Sequence, residues 1–205
     1  MIPRIFYPLL PYRSFFAPFL VVAAVAVPCW AIVRLYRLRA RGRVLSVRRE
    51  LLLLVVVAYL SGLAAATLTP SHPSRAVAEA TPAVDLRPSL ASLTCSSSTL
   101  PEGSRARGFC VRNARGNVVL FFPLGILLPL VWPRVGFWRG AQIALALSVS
   151  IELLQLLSRA WESYRTADVN DVILNVAGAA VGLAVISLVG RARSRANADA
   201  ADARR

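Results

Sequence analysis

Polar side chains that could bind or react are concentrated in one largely apolar stretch of the chain, from Ser148 to Gly182. The stretch is predicted to comprise the end of one apolar helix, a short polar turn and the start of a second. An ionisable side chain inside an apolar span is costly, so it usually marks a functional site or a buried pair. The residues concerned are Glu152, Gln155, Arg159, Arg165, Asp168, Asp171 and Asn175.

Helical spacing divides these residues into two stripes. The stripe on the first helix has steps of four, three and four residues and comprises Ser148, Glu152, Gln155 and Arg159. The stripe on the second helix comprises Asp168, Asp171 and Asn175. Because only a short turn separates the helices, the two stripes are predicted to face each other.

The composition of the chain indicates that these helices lie in a membrane. Of the 205 residues, 57% are hydrophobic, and they occur in blocks. The mean hydropathy is +0.59, and the net charge of +14 is carried by arginine, since the chain has no lysine. Basic residues between apolar blocks follow the positive-inside rule, which argues against a nucleic-acid partner and for a lipid bilayer.

Five apolar segments are long enough to cross a hydrocarbon core of about 30 Å at about 1.5 Å per residue. The predicted spans are Phe15–Val33, Leu51–Thr69, Asn117–Trp132, Phe137–Leu157 and Val172–Gly190. The predicted fold class is therefore all-α, an integral membrane helical bundle with about five transmembrane helices in the cell membrane.

The distribution of arginine predicts the orientation and the domains. Residues 34–49 contain seven arginines and no acid before Glu50, as expected of a cytoplasmic loop, so the N-terminus is predicted outside and the C-terminus inside. Residues 1–49 form the first helix and this loop, residues 50–190 the membrane domain with a long outer loop at 70–116, and residues 191–205 a basic tail expected to be disordered.

This topology places the N-termini of the third and fifth helices at the same outer face. Helix N-termini carry positive partial charge and free N–H groups, which favour carboxylates and phosphates. Asn113 and Asn117, at the start of the third helix, are predicted to approach the level of Asp168, Asp171 and Asn175. Glu152 and Gln155 are predicted to lie in the outer third of the fourth helix. The outer face is therefore the predicted ligand site.

Structural explanations compete with this hypothesis. Asp168 fits a helix N-cap and Asp171 the first turn, an arrangement that resembles a capping box. Glu152 could instead form a buried ion pair or be a protonated carboxyl bonded to an amide. Its partners would be Arg159, Arg165, Asn117 or Asn175.

Prolines and glycines predict close packing of the third and fifth helices. Pro123 and Pro129 leave the carbonyls of residues 119 and 125 without their usual donors, so the third helix is predicted to pack within the bundle. Gly178 and Gly182 form a G-x-x-x-G motif, which allows helices to approach closely.

Cysteine usage leaves two alternatives open. Cys95 and Cys110 lie on the predicted outer loop and could form a disulfide in an oxidising compartment, worth about 3 kcal/mol in the chain-entropy model. Alternatively they are two unrelated free thiols.

Three runs in order resemble the VanZ-like family of bacterial membrane proteins: N-V-V-L-F-F-P-L-G-I-L-L-P from residue 117, S-x-x-I-E-L-L-Q from residue 148, and R-T-A-D-V-N-D-V-I-L-N-V-A-G-A-A-V-G from residue 165. The resemblance covers roughly residues 50–190. It implies a small polytopic membrane protein and a connection with low-level resistance to the glycopeptide antibiotic teicoplanin. The matching residues are Asn117, Pro123, Gly125, Glu152, Gln155, Arg165, Asp168, Asp171, Asn175 and Gly178.

Several kinds of chemistry are not supported. The sequence has one histidine, His72, so a histidine-based metal site is not expected. The Walker A, G-x-G-x-x-G and G-x-S-x-G motifs are absent from the sequence. The sequence therefore assures no metal and names no cofactor.

Three functional hypotheses follow. In the first, the outer pocket of a non-enzymatic envelope protein binds a lipid-linked cell-wall precursor or a glycopeptide antibiotic, with Arg165 pairing with phosphate and Asn117 and Asn175 supplying hydrogen bonds. In the second, a membrane enzyme uses Glu152 as general base and two aspartates to hold Mg²⁺. In the third, the polar cluster of a scaffold only holds the helices together.

Overall fold

The computed structural model describes residues 13–41, 46–68, 82–96, 101–161 and 166–202. These residues form helices α1 (Arg13–Ala40), α2 (Val47–Leu68), α3 (Leu90–Thr94), α4 (Arg105–Val131), α5 (Phe137–Ser158) and α6 (Val169–Asp202). Two short strands are β1 (Val84–Asp85) and β2 (Ala167–Asp168), and a 3-10 turn, Arg159–Trp161, follows α5.

Five of the described helices, all except α3, are long and apolar enough to span a membrane. They contain between 22 and 34 residues, whereas about 20 residues cross the hydrocarbon core. The predicted all-α membrane bundle is confirmed. The predicted orientation of the termini stays a prediction.

The chain forms two compact units, residues 1–72 and residues 73–205. In the first unit α1 packs against α2, and the Arg34 guanidinium donates to both carboxylate oxygens of Glu50, over 2.8 Å from Nε and 2.5 Å from Nη2. The second unit contains α3 to α6 and most of the candidate residues. The helix α2, which the sequence grouped with the C-terminal membrane domain, packs here with α1.

Helices α4 and α6 extend furthest beyond the spans that the sequence predicted. Helix α4 begins at Arg105 instead of Asn117, because the Ser104 hydroxyl caps it by accepting from Arg107 N over 3.1 Å and no proline interrupts the first turns. Helix α6 continues to Asp202, where the sequence predicted a disordered tail from residue 191. The alanines and arginines of this segment are strong helix formers.

Helices α4 and α6 run parallel in very close contact. A Cβ added to Gly178 would overlap the carbonyl oxygen of Val118, and one added to Gly182 would overlap that of Phe122. On the other side of the contact, a Cβ on Gly125 would overlap the carbonyl oxygen of Ala179. The G-x-x-x-G motif and Gly125 therefore fit backbone against backbone. Helix α4 continues through Pro123 and Pro129.

Residues 82–96, called the strap below, lie across the start of α6. Strand β1 pairs in parallel with β2, with Val84 opposite Ala167 and Asp85 opposite Asp168. A disulfide joins Cys95 at the end of α3 to Cys110 on α4, with a Cα–Cα distance of 5.8 Å. The strap is therefore attached to both parallel helices.

Candidate functional site

Glu152 is the buried carboxylate of the site, with 7% of its surface exposed. Its Oε2 accepts a hydrogen bond from the backbone N–H of Asp168 over 3.0 Å. Helix α5 thus presents a carboxylate to the N-terminus of α6, where the helix dipole favours negative charge. This contact gives Glu152 a structural role and holds its Oε2 at the start of α6.

Asp168 is the N-cap of α6. Its Oδ1 accepts from the backbone N–H of Asn170 and from Asn170 Nδ2, each over 2.8 Å. These are the contacts of a helix N-cap, which is the structural explanation that the sequence offered for Asp168. The other half of the expected capping box differs, because the N–H of Asp168 donates to Glu152 rather than to a side chain within α6.

Asp171 connects α6 to α4. Its Oδ1 accepts from Asn113 Nδ2 over 2.9 Å. The polar ends of α4 and α6 therefore meet. The contact lies three residues after Asp168 on α6 and one turn before Asn117 on α4. The geometry brings the two helix N-termini to one end of this unit, as the sequence predicted.

A second layer lies deeper, between α4, α5 and α6. Asn175 Nδ2 donates to Ser148 Oγ over 2.9 Å, and the two residues are only 3% and 0% exposed. Among the described residues, Asn175 Oδ1 and Asn117 Nδ2 are buried atoms with no hydrogen-bond partner. An unpaired buried donor or acceptor costs about 1–3 kcal/mol, so a water molecule or another polar group would stabilise each of these atoms.

The remaining candidates and the single histidine have different positions. Gln155 is buried on the same face of α5 as Glu152. Arg159 Nη1 donates to the carbonyl oxygen of Pro82, in the strap, over 3.4 Å. Arg165 and His72 lie outside the described residues.

Asn170 is a central residue that the sequence analysis missed. Its side chain is 3% exposed, and its Oδ1 accepts from Ser89 N over 2.9 Å while its Nδ2 also donates to the Arg87 carbonyl oxygen over 3.4 Å. Asn170 thereby holds the strap onto the start of α6. The only local signal was an asparagine directly after an N-cap, because its partners lie more than 80 positions away in the chain.

Metal-binding chemistry has limited support in the described residues. They contain no group of three or more histidine, cysteine or acidic side chains that could hold a metal ion. The Asp168 carboxylate proposed as a Mg²⁺ ligand already accepts two bonds from Asn170. Cys95 and Cys110 are joined in the disulfide, and Cys29 is an exposed free thiol in α1.

Comparisons with known proteins identify a family for the part of the chain that contains these residues. The model of a family described as VanZ/LLP1 matches residues 51–190. Protein VanZ of Enterococcus faecium is 31% identical over 77 residues, which are 38% of this chain and 45% of that protein. The aligned part is thus less than half of either protein. No solved structure matches the chain.

Proposed function

The chain belongs to the VanZ/LLP1 family of membrane proteins, and on this premise we propose that it binds an amide-rich group of a cell-wall precursor or of a glycopeptide antibiotic. The proposed site is the layer of Asn117, Ser148 and Asn175, beneath Glu152. The chain acts in this proposal as a multi-pass envelope protein that binds without turnover.

The observation that carries the proposal is the pair of buried amide atoms without partners. Asn117 offers a donor at Nδ2 and Asn175 an acceptor at Oδ1. A peptide or carboxamide group supplies one acceptor and one donor, which are the partners that these two atoms lack. Glycopeptides and the peptide stems of cell-wall precursors are rich in this group. Arg165 remains a candidate for pairing with a phosphate.

The location of the disulfide supports an outward-facing site. Disulfides persist in oxidising compartments outside the cytoplasm, and Cys95–Cys110 lies at the end of the unit where α4 and α6 begin. Arg134 and Arg139 lie at the other end, around the start of α5. The proposal therefore places the strap and the polar layer towards the outer leaflet.

The alternative of a membrane enzyme has weaker support. It requires the carboxylate of Asp168 to hold Mg²⁺, but Oδ1 of that residue caps α6. Incubating the protein with envelope lipids and Mg²⁺ tests this alternative directly, since only an enzyme produces a new lipid species.

The test of binding uses Asn117→Leu, with Ser150→Ala as the matched control. Ser150 is exposed, and its hydroxyl bonds only to the Ala146 carbonyl of its own helix in the contacts described. We expect Asn117→Leu to retain or gain thermal stability, because an unpaired buried donor is removed. We also expect it to lose binding of fluorescent teicoplanin and of a fluorescent lipid-linked muropeptide in nanodiscs.

The measurement compares affinity in nanodiscs with melting temperature in detergent. Loss of binding at unchanged melting temperature, with Ser150→Ala like the wild type, supports the proposal. Equal affinity of Asn117→Leu and wild type for both probes contradicts it. Lack of binding of either probe by the wild type also contradicts it.

A further inference from the structure

Three arginines form a stripe on the first turns of α4. This arginine stripe consists of Arg105, Arg112 and Arg115, which are all exposed and face outwards. The residues are spaced seven and three apart, so at about 100° per residue they lie within about 80° of one another. The sequence predicted a long outer loop at residues 70–116, which includes these arginines. Their alignment appears only because the helix begins at Arg105.

The stripe cannot turn towards the interior of the unit. The opposite face of α4 is fixed by the Cys95–Cys110 disulfide and by the bond from Asn113 to Asp171. Val119, 68% exposed, continues the outward face one turn below Arg115. The arginines therefore lie directly above an exposed apolar residue on the same face of the helix.

The three arginines of the stripe do not stabilise α4. The residues of α4 include no acid, and no acidic side chain among the described residues pairs with the stripe. Arg107, by contrast, donates to Glu102 over 2.8 Å. Positive charge at a helix N-terminus is unfavourable, and like charges three residues apart repel.

The side chain of Arg112 lies along the helix over Gly108. Gly108 lies one turn before Arg112, and Arg112 Nη1 is 3.5 Å from the position that a Cβ of Gly108 would occupy. The guanidinium of Arg112 thus lies back along the helix in the direction of Arg105. Phe109, 68% exposed, stands beside them, and aromatic residues are typical of the membrane interface.

We propose that the arginine stripe binds the phosphate of an anionic phospholipid headgroup, in the leaflet that meets the start of α4. Guanidinium groups suit phosphate because they offer paired donors in a planar fork. A lipid seated here lies against α4, on the face opposite the polar layer. This site is distinct from the amide site and does not depend on it.

The experiment is photocrosslinking in nanodiscs of phosphatidylcholine that contain a phosphatidylglycerol analogue with a diazirine near the headgroup. Mass spectrometry locates the labelled peptides. The variant Arg105→Gln, Arg112→Gln, Arg115→Gln is compared with the same change at Arg191, Arg193 and Arg195. That second set removes the same charge from the C-terminal part of α6, which lies at the other end of the parallel pair.

We expect the wild type to be labelled within residues 101–122 and to prefer the phosphatidylglycerol analogue over a phosphatidylcholine analogue. Labelling there should fall about fivefold for each arginine removed. The control at residues 191–195 should retain it, and a triple Arg→Lys variant, which keeps the charge, should retain most of it.

Three results overturn the proposal. The first is unchanged labelling of residues 101–122 in the Gln variant. The second is an equal loss in the Lys variant or in the control, which would indicate a disturbed helix or a general charge effect. The third is complete displacement of the lipid analogue by inorganic phosphate at about 10 mM. That result would show that the stripe binds free anions rather than a lipid headgroup.

Discussion

The parallel pair of α4 and α6 is held together in opposite ways at its two halves. In the apolar half, Gly125, Gly178 and Gly182 bring backbone against backbone. In the polar half, Asn113 donates to Asp171 over 2.9 Å, and one layer deeper the amides of Asn117 and Asn175 each keep an atom unpaired. The same two helices thus form both a tight contact and a candidate site.

The difference between the halves shows how a small bundle can accommodate polar groups. The glycine contact leaves no room for a Cβ, so it fixes the spacing of the helices. With the spacing fixed, the backbones that carry Asn117 and Asn175 are held at a set separation. The unpaired atoms are therefore held in place, which suits a binding site.

The largest expected effect is at the glycine half. Gly178→Val should destabilise the unit by more than about 3 kcal/mol, because the added side chain meets the Val118 backbone, which cannot move aside. Thermal melting in detergent, followed by fluorescence size-exclusion chromatography, measures this.

Gly116→Ala is the matched control for that variant. An added Cβ at Gly116, in the middle of α4, meets nothing within 4 Å, so this change should be neutral or stabilise by roughly 0.5–1 kcal/mol. Equal melting temperatures for the two variants would show that the glycine contact is not what fixes the helix spacing.

The next prediction distinguishes the stability of the strap from the stability of the α4–α6 pair. The double variant Cys95→Ser, Cys110→Ser should lose the stabilisation of about 3 kcal/mol that the disulfide provides by closing the loop. The equilibrium constant for opening of the strap should therefore rise about a hundredfold. Hydrogen exchange of residues 82–96 should accelerate accordingly. The amides around Gly178 and Gly182 should keep their protection, and their equal acceleration would contradict the separation of the strap from the helix pair.

A smaller effect is expected at Glu152. Glu152→Ala leaves the backbone N–H of Asp168 without its acceptor and should cost about 1–3 kcal/mol. Glu152→Gln keeps an acceptor oxygen at the same position and should melt closer to the wild type. If the two variants melted together, well below the wild type, the charge rather than the hydrogen bond would be the stabilising feature.

The smallest effect is expected at the mouth of the polar half. Asn113→Ala removes an exposed bond to Asp171 and should cost only about 0.5–1.5 kcal/mol. A loss as large as that of Gly178→Val in the same melting assay would mean that polar contacts hold the helix pair as strongly as the glycines do.

Much of the fold could be predicted because the relevant signals are local. The length of each apolar block predicts a span, and a carboxylate within such a block, such as Glu152, predicts a site or a buried pair. The beginning of α4 could not be placed in this way. Its first three turns are polar and arginine-rich, so hydropathy gives no signal there, and a single serine, Ser104, is a weak mark of a helix start.

The tertiary structure decided the partners of these residues. The sequence by itself determined which residues are polar within the membrane and that Gly178 and Gly182 allow close approach. It did not determine that Glu152 binds the N–H of Asp168, or that Asn170 binds Ser89 from 81 positions away. A hydrogen bond depends on the relative positions of two backbones, and here those positions are set by the glycine contact and the disulfide rather than by neighbouring residues.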